Sequence, residues 1–408
     1  MLLLCGQLRL AWPLGTGGGV GTVQPARSLR GMDSPSALHS RVDRIAVVGL
    51  GNVGRLIADM LVERGFEVRG VDADESRAAG EHASVMDVKD AAALEELFAD
   101  VDAVISCLPY YLNTVVVTAA HSAGVHYLDL SEDVATSRTV RQLAQSSNTI
   151  WMPCCGLAPG FICIVGGALA ASLETVERIE LRVGALPRSP NNAAGYACNW
   201  SSAGLVNEYL NDGEQLRGGQ LVSVPSLSEL ETIVIDGAAY EAFTTSGGLG
   251  RMCETFAGRV DRLDYKTIRY PGHCRLMRFM LQELGLGRQR EEAMRLLGDA
   301  YPPVRDDLVI VYAAAEGTSG GRRAREEFVR VYRPRNVAGA TRTAIAWTTA
   351  AGAVGVVELL AEGSLPDSGF VCQEDLSLDA FLATSAGQLL ARDPQADVRD
   401  DIPLMPVA

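Results

Sequence analysis

Arg44-Ile45-Ala46-Val47-Val48-Gly49-Leu50-Gly51-Asn52-Val53-Gly54 is the stretch that decides the fold. Ile45 to Val48 is a short unbroken apolar run, the pattern of a parallel strand buried on both faces. It leads into glycines spaced Gly-x-Gly-x-x-Gly, then into Arg55 to Arg64, whose apolar residues recur with helical period until Gly65 stops them. Gly49 permits a tight turn, Gly51 lets a pyrophosphate approach the backbone, and Gly54 lets helix and strand pack closely. The N–H groups at the helix start, around Asn52 and Val53, offer such a phosphate hydrogen bonds and the positive end of the helix dipole. A second strand, Phe66 to Asp72, ends on a carboxylate placed to hold a ribose diol. A glycine fingerprint alone is weak; between strand and helix, with the acid in place, it reads as a dinucleotide site. A 2′-phosphate beside Asp72 would meet like charge, so NAD is the expected cofactor, and the nearby Arg77 keeps NADP possible.

The alternation continues outward. Ala83 to Asp87 reads as a short strand, Asp90 caps a helix to Ala99, and Ala103 to Cys107 is a fourth strand. Leu108-Pro109-Tyr110-Tyr111 is then its terminal loop. In a doubly wound sheet, ligands sit at the carboxyl ends of strands near the point where strand order reverses. That places Leu108 and Pro109 against cofactor, Asp87 at the adenine edge, and Tyr110 and Tyr111 near the nicotinamide; packing is the alternative for either tyrosine. His126 to Leu130 and Thr149 to Cys154 read as strands five and six, closing a six-stranded unit near Gly156. Asp129 faces the same cleft and is a candidate to take a proton from a substrate ammonium, because hydride leaves readily only from a neutral amine. A buried Asp capping the next helix is the competing reading.

Beyond residue 160 the pattern changes to a mixed sheet with helices. Pro159 to Leu173 reads as a helix, and Arg178 to Val183, Val260 to Tyr270, Leu308 to Ala314 and Glu326 to Tyr332 as strands. On Lys266–Tyr270, period-two alternation puts Lys266, Ile268 and Tyr270 on one face, Thr267 and Arg269 on the other. Arg269 is the candidate anchor for an α-carboxylate, which its guanidinium can grip with two parallel bonds; an internal salt bridge is its alternative. His273 follows a Pro-Gly turn and either contacts substrate or starts the helix to Leu284. Trp200 and Ser201 are candidates to wall the pocket and bind the amine, with a core tryptophan and a helix cap as the alternatives. Ala344 to Leu360, apolar and small, reads as a buried helix docking back on the first domain.

Composition bounds the function classes. The chain has 408 residues and a formal charge of −14, which argues against nucleic acid as a partner. No run of about 18 apolar residues is evident, so no membrane span is expected. Residues 1–32 hold Arg9, Arg27 and Arg30 and no acid, leaving −17 on residues 33–408. This leader reads as a disordered or spurious extension, an organelle transit peptide being the alternative; the expected location is cytoplasmic. Nine scattered cysteines without a Cys-x-x-Cys pair, and five histidines, give neither a disulfide framework nor a metal site.

Several segments, in a fixed order, carry a resemblance: Leu108-Pro-Tyr-Tyr111, Gly124-Val-His-Tyr-Leu-Asp-Leu130, Cys155-Gly-Leu-Ala-Pro-Gly160, Trp200 to Tyr209, Val224 to Leu230, Glu241 to Gly248 and Tyr265 to His273. The set resembles the saccharopine dehydrogenase family, and most closely its lysine 6-dehydrogenase branch. Saccharopine-acting members resemble one another in carrying Asp where Ala158 stands here. The resemblance implies an α/β fold: a doubly wound parallel Rossmann sheet interrupted by a second α+β substrate domain with a mixed sheet. The expected divisions are an extension at 1–42, a dinucleotide domain at 43–157, a substrate domain at 158–340, a returning segment at 341–392 and a tail at 393–408. It also implies an enzyme that oxidises the terminal C–N bond of lysine, taking a small amino-acid substrate, with a homodimer as the default assembly. Cleavage or formation of saccharopine, thiol-dependent aldehyde oxidation through Cys154 or Cys155, and a non-catalytic NAD sensor are the competing readings.

Overall fold

A computed structural model describes residues 42–391; the expectations for the leader and the tail lie outside the described residues. The first sheet is built from β1 (Arg44–Val48), α1 (Asn52–Glu63), β2 (Glu67–Asp72), β3 (Ala83–Val85), α2 (Ala91–Ala99), β4 (Ala103–Ser106), α3 (Tyr110–Ala123), β5 (His126–Asp129), α4 (Val134–Ala144) and β6 (Ile150–Met152). Its strands run parallel in the order β6-β5-β4-β1-β2-β3, and Gly369–Phe370 returns late in the chain to pair with β6 as a seventh. Residues 45–48 are fully buried, as an apolar parallel strand requires. Strand order reverses between β1 and β4, and the Cys107 N–H bonds the Val48 carbonyl at 2.8 Å where the two strands end. A crevice opens there.

The segment after β4 departs from the sequence reading. Residues 108–111 are not a free loop: Pro109 caps α3 and Tyr110 begins it. Valine and threonine give residues 114–118 weak helix preference; buried Val116, Val117 and Ala120 packing beneath the sheet supply what propensity does not.

The second sheet follows α5 (Phe161–Ala171). It comprises β7 (Thr175–Pro187), β8 (Gly213–Arg217), β9 (Gln220–Val224), β10 (Glu231–Ile235), β11 (Ala238–Thr244), β12 (Arg262–Arg269), β13 (Asp307–Ser319) and β14 (Arg322–Tyr332). The order is β10-β11-β12-β7-β13-β14, with β8 pairing β12 and β9. Only β7 and β12 pair in parallel, so the sheet is mixed. Between its strands lie α6 (Ser202–Leu210), α7 (Met252–Phe256), α8 (His273–Arg278) and α9 (Arg290–Ala300); α8 passes into a π-helical turn at Phe279–Glu283. The hairpins β8–β9 and β10–β11 have no counterpart in the sequence reading.

The last long helix, α10 (Ala344–Ala361), joins the two sheets. By length and composition it could cross a membrane, contrary to the expectation that no such run exists, but 83% of it is buried inside the fold. It packs on α1 and β13. Arg342 pairs with Asp59 at 3.1 Å and Glu358 with Arg64 at 3.0 Å, while the Asp307 carboxylate accepts the Ala344 and Ile345 N–H groups at its start.

Candidate active site

A cavity of about 570 Å³ lies between the carboxyl ends of the first sheet and the inner face of the second, within the size range of small-molecule sites. One end is glycine-walled. Gly49 sits at φ +95°, a conformation that L side chains rarely adopt, and its N–H bonds the Val71 carbonyl at 2.8 Å. A methyl on Gly54 would collide with the Gly49 carbonyl. Gly51 is different: it lines the cavity, and a Cβ there would meet nothing within 4 Å. The space beside its backbone opens onto the N-terminus of α1, whose first turn carries no acid and whose cap makes no side-chain bond. Open backbone at a helix N-terminus fits a dinucleotide pyrophosphate. Asn52, Val53, Leu108, Pro109 and Tyr110 border the same end.

Asp72 closes β2 and holds the glycine turn, its carboxylate accepting the Leu50 N–H at 2.8 Å and the Asp74 N–H at 2.9 Å. Each oxygen has a second lone pair, so the group retains capacity for a ribose hydroxyl. Arg77 borders the cavity and lies 3.6 Å from Asp74.

The opposite end is built by β12 and α6. Tyr265, Thr267 and Arg269 face the cavity, whereas Lys266 reaches Glu231 at 2.6 Å on the other face, as strand alternation requires. Arg269 is 3% exposed; its Nε donates to the Tyr209 hydroxyl at 3.0 Å and its Nη1 to the Ile268 carbonyl at 2.9 Å. Trp200 borders the cavity and its indole N–H donates to the Tyr196 hydroxyl at 3.2 Å. Ser201 caps α6, its Oγ accepting the Gly204 N–H at 3.0 Å.

Two carboxyl groups that the sequence reading passed over complete the wall. Glu208, on α6, is pushed up to about 8 by burial, with the Arg269 charge pulling back and Glu132 adding to the rise. Glu132, half-buried just beyond β5, is pushed up to about 7 by burial of its carboxyl, with its own backbone N–H pulling back and Asp133 and Asp129 adding to the rise. Glu132 sits between two glycines: a Cβ on Gly204 would lie 3.1 Å from its Oε1, and one on Gly247 would lie 3.1 Å from its Cβ. Neither carboxyl has a side-chain ion pair among the described residues. The helical spacing of Gly204 and Glu208, one turn apart, is the signal that was available for one of them.

Other expected site residues stand elsewhere. Asp129 is fully buried and off the cavity wall, its oxygens taking the Tyr127 hydroxyl and the Ser131 and Cys154 N–H groups at 2.9–3.0 Å. Burial lifts it to about 6 against those bonds. His273 is fully buried behind Arg269, both ring nitrogens engaged, and burial drives it down to about 3. Tyr111 is 62% exposed and meets Tyr110 edge-on at 5.6 Å, while Asp87 is exposed and holds the Lys89 N–H. Cys154 and Cys155 are buried, do not border the cavity, and have their ionisation pushed well up by burial. That arrangement removes the geometry for a cysteine nucleophile. Among the described residues no group of acidic, His and Cys side chains is arranged to hold a metal ion.

Comparison with known proteins agrees with this architecture. The family models for the saccharopine dehydrogenase NADP binding domain and C-terminal domain match residues 45–151 and 156–389. A curated saccharopine dehydrogenase [NADP(+), L-glutamate-forming] from Pyricularia oryzae is 23% identical over 281 residues, 63% of this chain and 60% of that one. Its namesake from Schizosaccharomyces pombe is 26% identical over 162 residues, 37% of this chain and 35% of that one. The chain therefore aligns with about 60% or less of the length of these curated relatives. The solved apo saccharopine dehydrogenase (L-Glu forming) from Saccharomyces cerevisiae superposes with a TM-score of 0.68 at 16% identity, covering 83% of this chain and 96% of that chain. A homospermidine synthase from Legionella pneumophila, solved with NAD, gives 0.60 at 14% identity, covering 85% and 89%. At such identities these superpositions speak for the fold.

Proposed function

The chain belongs to the saccharopine dehydrogenase family of amino-acid oxidoreductases, and from that premise we propose that it oxidatively deaminates L-lysine at its terminal carbon–nitrogen bond. One observation carries the reading: a single cavity has bare Gly51 at one end and, at the other, Arg269 beside Glu208 with Glu132 on the wall. Lysine brings one carboxylate and two ammonium groups, matching one arginine and two glutamates. Saccharopine brings three carboxylates, and the other arginine bordering the cavity, Arg77, lies at the dinucleotide end. Ala158, where saccharopine-acting members carry Asp, also borders the cavity.

In this account Arg269 and Glu208 hold the amino-acid head group, guanidinium on carboxylate and carboxylate on α-ammonium. Glu132, at the end of the loop from β5, takes the proton from the reacting ε-ammonium, a role its raised pKa suits near neutral pH. Gly51, Asn52 and Val53 would hold a nicotinamide dinucleotide at its phosphates and Asp72 at its ribose, and the dinucleotide would supply the hydride acceptor. Trp200 and Tyr265 keep the cleft dry until water enters to hydrolyse the imine of the substrate, releasing ammonia and the 6-semialdehyde. Asp72 favours NAD, since a 2′-phosphate would approach a carboxylate; the curated relatives are NADP enzymes by name, and Arg77 is the residue that would serve a phosphate.

The test is incubation with L-lysine and either dinucleotide, following reduced nicotinamide and ammonia. Equal amounts of both, formed faster with NAD, are expected. Dinucleotide binding without turnover of any amine would instead make the protein a sensor.

A further inference from the structure

Behind the cavity wall a line of buried hydrogen bonds runs from Arg269 through Tyr209 and His273 to the Ala194 carbonyl, at 3.0, 3.0 and 2.9 Å. Its direction is forced by chemistry. A carbonyl only accepts, so His273 Nδ1 carries the hydrogen. A neutral imidazole then leaves Nε2 bare, the Tyr209 hydroxyl must donate to it, and the Tyr209 oxygen is left to receive the Arg269 Nε–H. Arg269, Tyr209 and His273 are 3%, 1% and 0% exposed. The Tyr196 ring lies 5.1 Å from the Arg269 guanidinium carbon, and Phe243 stacks on the imidazole. With Nε and Nη1 engaged by Tyr209 and Ile268, the rest of the fork is presented to the cavity in one orientation.

We propose that His273 and Tyr209 are positioning residues that lock Arg269 for a substrate α-carboxylate, so that recognition of the amino-acid head is pre-organised in the free protein. This rests on the reading of Arg269 as the carboxylate anchor, and it names the substrate class as amines bearing an α-carboxylate. Neither residue touches substrate. Both act through Arg269.

The experiment compares L-lysine with cadaverine, the same diamine without its carboxylate, measured as substrate or as competitor. Tyr209→Phe and His273→Leu should raise KM for lysine about tenfold or more while kcat changes less than about threefold, the signature of lost uniform binding. Affinity for cadaverine should stay within about twofold of the wild-type value. His273→Gln, whose amide oxygen can still accept from Tyr209, should restore most of the lysine affinity. Equal losses for lysine and cadaverine would show general damage and overturn the positioning role, as would an unchanged KM in Tyr209→Phe. Arg269→Lys separates the two levels. If KM for lysine rises there but not in Tyr209→Phe, the relay fails and the anchor stands; if it does not rise there, the anchor itself fails.

Discussion

At the scale of single residues, two carboxyl groups on the cavity wall set the proposed chemistry, Glu208 buried and Glu132 half-buried. Because burial raises Glu132 to about 7 and Glu208 to about 8, each is partly protonated when a substrate cation arrives. The rate should follow the deprotonated forms of both: kcat/KM for lysine rises as pH climbs through about 7 and about 8, the Glu132 and Glu208 ionisations. Glu132→Gln should remove the lower of the two and reduce kcat by about 10²–10⁴. Glu208→Gln should act mainly on KM. It should also stabilise the unliganded protein at alkaline pH, because a carboxyl with a raised folded pKa favours the folded state below its ordinary range and loses that contribution as pH rises through about 8. A thermal midpoint higher than wild type by about 2 °C or more at alkaline pH, with the gap closing in acid, is the expected result; an unchanged midpoint would contradict it. The sequence pointed to Asp129 for the proton because strand ends in doubly wound folds face the ligand. It missed Glu132, three residues further on, because a loop has no period to say which acid turns inward. Arg269 was legible because it lies on a strand whose alternation fixes its face.

At the scale of elements, Gly49 and Gly54 of the turn answer steric demands of the fold, whereas nothing in the fold itself requires glycine at 51, and that contrast predicts different phenotypes. Gly51 has φ −64° and open space beside it, so Gly51→Ala should leave the thermal midpoint within about 1 °C and weaken dinucleotide binding about tenfold or more. Gly54→Ala should do the reverse: a methyl forced against the Gly49 carbonyl costs about 1–3 kcal/mol of stability before any ligand is present. Calorimetric unfolding of the free proteins and titration with NAD distinguish the two. Equal behaviour of the two variants would undo the assignment of roles. Strongly periodic segments such as β1, α1 and β12 were legible in the sequence. The start of α3 and the hairpins between Gly213 and Thr244 were not: β-branched residues obscure the former, and the latter alternate apolar and polar residues too briefly to stand out.

At the scale of the whole molecule, α10 makes the two sheets answer to each other. Glu358 on this helix accepts from Arg64 on the residue after α1 and from the Ala386 N–H, at 3.0 and 2.8 Å. Removing it with Glu358→Ala leaves Arg64 facing a gap and should cost about 3 kcal/mol, seen as one cooperative transition at lower temperature. Two separate transitions would show that the sheets unfold independently. Charge acts at this scale as well: residues 33–408 carry a formal −17, which favours the approach of cations, while on the proposed function an anionic dinucleotide would be met locally by backbone N–H groups at Gly51 and the start of α1. On the proposed function, this cleft takes an amine with one carboxylate rather than three. Measuring kcat/KM for L-lysine and for saccharopine, each with NAD, on the same preparation decides between them. Reduction of nicotinamide with lysine alone, at least about tenfold more efficient than with saccharopine, is the predicted result. Turnover of saccharopine with none of lysine would contradict it.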